Sequence, residues 1–149
     1  LSNMAVSVKW ALLLTLAVFP IIEAIGSKQN VTVRGQLKCK YKNVPNTVVE
    51  LWDKETLKKD DLLEKFTTEA QGHFFIVGYD TQISKIKPYV RIEHTCGAKP
   101  GCHKVTEITL DPMWVGKAKD LAFVQLDKDT RDDTDVKMSV RDECPPKRA

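Results

Sequence analysis

Val31-Thr32-Val33-Arg34-Gly35-Gln36-Leu37-Lys38-Cys39-Lys40-Tyr41-Lys42 is the stretch that decides the fold class. Val31, Val33, Gly35, Leu37, Cys39 and Tyr41 fall on one parity, and the intervening positions are polar or basic throughout. That period of two is the signature of a strand with one face on a core and one face in water. Turn formers follow at residues 43–46, where Asn43, Pro45 and Asn46 cluster. Beyond them the chain keeps the same rhythm. Strands are expected over residues 47–53, 65–69, 73–79, 86–96, 103–110 and 121–126, with turn signals at Gln71-Gly72 and Pro100-Gly101. Residues 60–65 are expected to form a single helical turn. About seven short strands separated by turns predict an all-β, two-sheet sandwich.

Upstream of that stretch, residues 4–26 have the form of a secretory leader. Lys9 is followed by an apolar run from Trp10 to Ile22, and small residues close the segment at Ala24 and Gly26. The run falls short of the roughly 20 residues that a membrane-spanning helix needs. Residues 1–3 precede the first methionine and read as upstream sequence, so the folded domain is expected over residues 27–149. A net charge of +3 is far below what a nucleic-acid binder carries. Secreted and extracellular localisation is the expectation, with at most peripheral membrane contact.

Export gives the four cysteines a meaning. Cys39, Cys96, Cys102 and Cys144 are an even set in an oxidising compartment, which predicts disulfides before metal ligation. Three connectivities are open. Cys96 and Cys102 flank a short Gly/Pro loop between two expected strands, which favours Cys96–Cys102 and leaves Cys39 for Cys144 at the tail. The rival set His94, Cys96, Cys102 and His103 has zinc-type donors in a spacing that matches no finger, so no metal or other cofactor is expected. His73 beside Gly72 reads as a solvated turn residue. Asp127, Asp129, Asp132, Asp133 and Asp135 form an acidic run, yet Asp132 and Met138 stand where an EF-hand needs glycine and glutamate. That run reads as a solvated loop. Asn30-Val31-Thr32 is an N-glycosylation sequon in an expected exposed segment near the start of the domain.

Two surface features carry the binding expectations. Arg34, Lys38, Lys40 and Lys42 share the polar parity of the first strand, and Lys85, Lys87 and Arg91 share a parity further on. If the clusters converge they offer anionic headgroups a positive surface; the plainer account is lysines protecting a strand edge from aggregation. Residues 74–77 and 121–124 are apolar on both parities. A loop covering the second face is the simpler explanation, and an exposed patch for a lipid or a partner the sharper one.

The order and spacing of several short segments resemble one family. These are residues 35–39 (Gly-Gln-Leu-Lys-Cys), 49–53 (Val-Glu-Leu-Trp-Asp), 60–63 (Asp-Asp-Leu-Leu), 68–74 (Thr-Glu-Ala-Gln-Gly-His-Phe), 86–89 (Ile-Lys-Pro-Tyr), 92–96 (Ile-Glu-His-Thr-Cys) and 102–104 (Cys-His-Lys). In this arrangement the chain resembles the transthyretin-like proteins secreted by nematodes. The resemblance implies a prealbumin-like, Ig-like β-sandwich and a non-catalytic role. An extracellular protein or a lipid is the expected partner, and a monomer the expected state. Members are proposed as carriers of small hydrophobic ligands, as bridging factors or as secreted parasite effectors acting on a host protein. Relatives of transthyretin that hydrolyse 5-hydroxyisourate carry a histidine motif on the first strand and a Tyr-Arg-Gly-Ser ending. Here the first strand has no histidine and the chain ends Cys144-Pro145-Pro146-Lys147-Arg148-Ala149. No nucleophile-elbow glycine pattern surrounds Ser27, Ser84 or Ser139.

Overall fold

The computed structural model describes residues 26–131 and 133–146. The leader segment before Gly26 and the last three residues lie outside the described residues. Among the described residues nine strands form two sheets: β1 (Ser27–Cys39), β2 (Lys42–Asn43), β3 (Val48–Asp53), β4 (Asp61–Thr67), β5 (His73–Gln82), β6 (Pro88–His94), β7 (His103–Leu110), β8 (Ala118–Gln125) and β9 (Val136–Glu143). One 3-10 turn, Pro112–Trp114, is capped by the Asp111 side chain, which accepts from the Met113 amide. β1 is the spine of the first sheet, antiparallel to β5 and β2 along one edge and parallel to β8 along the other. The second sheet runs β4-β3-β6-β7-β9, antiparallel throughout.

The alternation in β1 does what its sequence predicts. Val31, Val33 and Leu37 are wholly buried, and they meet Val49, Leu51, Val90, Ile92 and Ile108 of the other sheet. Burying each such side chain contributes about 1.5–3 kcal/mol, which is what clamps the sheets together. The pattern stops one pair early, however. Lys40 and Tyr41 both adopt positive φ, 47° and 68°, between the paired residues Cys39 and Lys42. That is the geometry of a tight hairpin turn whose twist suits its strands. Tyr41 therefore lies 80% exposed instead of joining the core.

Two elements differ from expectation, each for its own physical reason. Residues 60–65 are not a helical turn: from Asp61 on they belong to β4. The β3–β4 register shifts at Leu63, so Leu63 and Phe66, three apart, both pack on the core. A bulge inserts one residue into a strand and converts a step of two into a step of three. β9 comes from residues expected to be loop and tail. Val136, Met138 and Val140 turn inward along it, but the acidic residues just before it hide the alternation.

The disulfides are Cys39–Cys96 and Cys102–Cys144, with Cα separations of 5.8 and 4.3 Å. The expected Cys96–Cys102 and Cys39–Cys144 pairing is therefore corrected. Cys96 lies on the core-facing parity of β6 with Ile92 and His94, and so meets Cys39 at the end of β1 across the sandwich. β9 runs beside β7 with His103 opposite Glu143, which brings Cys144 next to Cys102. With β9 read as a loose tail, that neighbour was invisible.

Candidate functional site

The outer face of the β1 sheet departs from an ordinary solvated surface. Alternation turns Asn30, Thr32, Arg34, Gln36 and Lys38 of β1 away from the core. β5 sets Tyr79 opposite Asn30, Val77 opposite Thr32 and Phe75 opposite Arg34. β8 sets Asp120 opposite Arg34 and Phe123 opposite Gln36. Phe75, Tyr79 and Phe123 are 55%, 55% and 57% exposed. The expectation that a loop covers this second face is thus corrected: the rings stand open.

Phe123 is outside because the backbone puts it there. In β8, Ala122 adopts φ 51°, and the register jumps from Arg34–Asp120 to Gln36–Phe123. Leu121 and Val124 both stay wholly buried, three apart, while Phe123 swings out. A left-handed alanine costs about 1–2 kcal/mol, offset in part here by the hydrogen bond its amide donates to the Asp120 carboxylate at 2.8 Å. Gly35 sits opposite the bulge. A Cβ there would lie 2.9 Å from the Phe74 ring and 3.3 Å from the Ala122 carbonyl oxygen, so any larger residue would have to displace that buried ring. Between these residues opens a cleft of about 360 Å³, lined by Arg34, Gln36, His73, Phe75, Asp120 and Phe123 among others.

The cleft has a defined charge arrangement. The Arg34 Nε–H donates to Asp120 Oδ2 at 2.9 Å. The Ala122 amide and then the Arg34 guanidinium hold the Asp120 carboxyl below the usual carboxylate range. Both side chains are at least half exposed, so the pair adds little stability, about 0–1 kcal/mol. Its effect is on position: it ties the guanidinium to β8 in the wall of the cleft that Phe75 and Phe123 also line. Lys38 lies 4.7 Å from the Phe123 ring centroid and Lys28 5.4 Å from that of Tyr79, cation–π geometry in both cases.

The outer face of the other sheet is internally neutralised. Glu50 accepts from Lys65 at 2.8 Å and from Trp52 Nε1 at 3.0 Å, with Arg91 at 3.4 Å, and Arg91 also reaches Glu93 at 2.6 Å. Burial pushes the Glu50 carboxyl up, and these donors more than reverse it. Arg141 bridges Glu107 at 2.7 Å and Glu143 at 3.0 Å. Aromatics are inboard there: Trp52 stacks on Tyr89, whose hydroxyl donates to Asp60 at 2.9 Å. Burial and that carboxylate together raise the Tyr89 phenol well above its ordinary range.

The basic stripe does not survive as one surface. Arg34 and Lys38 share the outer face of β1, but Lys40 is in the hairpin turn, its amide donating to Asp127 at 3.0 Å. Lys42 pairs opposite Cys39 and so takes the other parity. Arg91 belongs to the second sheet, so the Lys85, Lys87 and Arg91 cluster does not converge with the first. Asn30 is a strand residue of β1 rather than part of a free segment, its carbonyl accepting from the Gly116 amide at 2.7 Å.

All four cysteines are in disulfides. His94 is buried, accepting from the Cys96 amide at Nδ1 and donating through Nε2 to Thr106; His103 contacts Glu143 at 3.0 Å. Among the described residues no group of His, Cys, Asp and Glu is arranged to hold a metal ion. The acidic run is divided among separate tasks, since Asp133 holds Arg131 and Asp135 holds Lys119 and Trp114. Asp132 lies outside the described residues. Sequence reasoning missed Tyr79 and Asp120 as surface partners of β1, because pairing across strands is not written in either strand alone.

The model of the transthyretin-like family matches residues 34–111. This chain belongs to the transthyretin-like family. Transthyretin-like protein 16 of Caenorhabditis elegans is 36% identical over 107 residues, covering 71% of this chain and 81% of that protein. Transthyretin-like protein 33 of the same organism is 39% identical over 93 residues, 58% of this chain and 65% of that one. For transthyretin-like protein 5 the figures are 33% over 98 residues, 64% and 70%. In this transthyretin-like sandwich the matched segment runs from Arg34 through β7 and ends before β8. Arg34 and Phe75 thus fall within the family match, and Asp120, Ala122 and Phe123 fall outside it.

Proposed function

We propose that this transthyretin-like protein is an extracellular, non-enzymatic binding protein that takes an apolar ligand on the outer face of the β1 sheet. One observation carries the reading: a strained, bulged backbone at Ala122 holds Phe123 out of the core, where it lines one cleft with Phe75 from the other side of β1. Contiguous exposed aromatics rimmed by polar groups are a mark of binding sites. The two disulfides fit an oxidising compartment and so support export. The residues lining the cleft include no serine or cysteine nucleophile, and Asp120 is already engaged by Arg34 and the Ala122 amide.

The test uses a neutral, polarity-sensitive dye such as Nile red with protein recovered from the medium of cells expressing the full sequence. Wild type should brighten and blue-shift the dye. A Phe75→Ser/Phe123→Ser variant with an unchanged thermal midpoint should not. Equal signals from the two proteins would move the binding site elsewhere, and retention of the protein inside the cells would overturn the extracellular assignment.

A further inference from the structure

Resting on that reading, we infer that the ligand of the Phe75–Phe123 cleft is a small amphiphilic monocarboxylic acid whose carboxylate docks on Arg34. Among the described residues, Nε is the one guanidinium nitrogen of Arg34 with an acceptor, Asp120 Oδ2 at 2.9 Å. The Nη1 and Nη2 donors remain for a ligand. A planar guanidinium presenting two donors matches a planar carboxylate in a two-point contact, which a lysine does not offer. Asp120 orients this group and is a positioning residue.

Asp120 also selects the charge of the ligand. A monoanion joining the Arg34–Asp120 pair leaves one cation between two single negative charges. A dianionic phosphate would add repulsion from a carboxylate that its hydrogen bonds keep ionised. Lys38, which carries no ion pair among the described residues and stands 4.7 Å from the Phe123 centroid, offsets the remaining negative charge on the same side of the cleft. The apolar body of the ligand has the Phe75 and Phe123 rings to lie against. The cleft is open to solvent, so an alkyl chain lies along it without being enclosed.

The experiment is isothermal titration of the secreted product of the full sequence with decanoate, decyl maltoside, decyl trimethylammonium and decyl phosphate, all below micelle formation. Backbone amide NMR shifts of Gly35 and Ala122 locate the site. Decanoate should bind about tenfold more tightly than the neutral and cationic amphiphiles, the factor expected of a hydrogen-bonded charged contact. It should move both amides. Arg34→Gln should abolish the preference for decanoate while leaving decyl maltoside binding intact, and Phe123→Ser should weaken both ligands. Equal binding of decanoate and decyl maltoside, or a preference that survives Arg34→Gln, overturns the acid assignment and leaves the apolar-face reading standing. Tighter binding of decyl phosphate overturns the monocarboxylate assignment. No binding by any amphiphile overturns both.

Discussion

Cys39, the last residue of β1, is bonded to Cys96, two residues beyond the end of β6, so a single covalent link fastens one sheet to the other at the same end of the sandwich. Cys102–Cys144 does a different job, locking the outermost strand β9 to its neighbour β7. The sequence separations are 57 and 42 residues, and chain-entropy reasoning gives about 4 kcal/mol for each. Peptide mapping of unreduced protein, with the peptide that spans Cys96 and Cys102 fragmented before Pro100 in the mass spectrometer, should find Cys39 linked to Cys96 and Cys102 linked to Cys144. A thiol reagent should find no free cysteine in the denatured, unreduced chain. Replacing either pair by serine should lower unfolding free energy by about that 4 kcal/mol, measured in urea.

Ala122 makes a second prediction. Glycine at this position removes the left-handed penalty of about 1–2 kcal/mol at an entropic cost of about 0.5–1. Ala122→Gly should therefore raise stability by about 0.5–1 kcal/mol, and Ala122→Val should lower it by at least about 1. Chemical denaturation of the two variants beside wild type checks the sign, which would be reversed if residue 122 had ordinary strand geometry.

The pH dependence of stability should carry the mark of His94. Burial, with a smaller contribution from the Lys104 charge, pulls this imidazole from 6.5 down to about 4. Below pH 6.5 the unfolded chain binds a proton that the native chain refuses. The stabilisation is therefore complete above 6.5 and is lost progressively as pH falls toward 4, amounting to about 3 kcal/mol at 1.36 per pH unit. The lowered carboxyls of Glu50 and Asp120 act further down the scale, below the ordinary carboxylate values of 4.5 and 3.8. Urea midpoints measured between pH 6.5 and 4.5 should fall in wild type, and His94→Gln should flatten that part of the profile.

Gly78 is where β5 comes close to β3 and β4. A Cβ would stand 2.7 Å from Leu63 Cβ and 2.9 Å from Leu51 Cδ2. Gly78→Ala should cost about 1–3 kcal/mol through overpacking, and it should cost less in a Leu51→Ala background, where the Cδ2 atom that stands 2.9 Å away is gone. A double-mutant cycle reads that coupling.

Hydrolysis of 5-hydroxyisourate should stay at background. The first strand supplies Thr32, Arg34, Gln36 and Lys38 to its outer face and no histidine. His73, across from Gln36, is the one imidazole lining the cleft. Loss of substrate absorbance above the uncatalysed rate, surviving rigorous purification, would refute the non-enzymatic reading.

The fold class was legible in residues 31–39, because burial of one face forces a period of two onto any regular strand that packs on a core. Strands β3, β6 and β7 follow the same rule and were visible in the same way, while β5 was visible as an apolar run after the Gln71-Gly72 turn. Leu63 and Ala122 were not, since a bulge adds one residue and its signature, apolar side chains three apart, imitates a helix or a two-faced strand. β9 was hidden behind an acidic approach although Val136, Met138 and Val140 alternate. Once β9 was missed, the cysteine pairing followed wrongly, because Cys144 finds Cys102 only when β9 lies against β7. The candidate site is the extreme case. Arg34, Phe75, Asp120 and Phe123 come from three strands, and no local pattern tells a residue which neighbour its strand will acquire. Local alternation is a property of the chain; adjacency across strands is a property of the packed sheets, and the cleft exists only in the second.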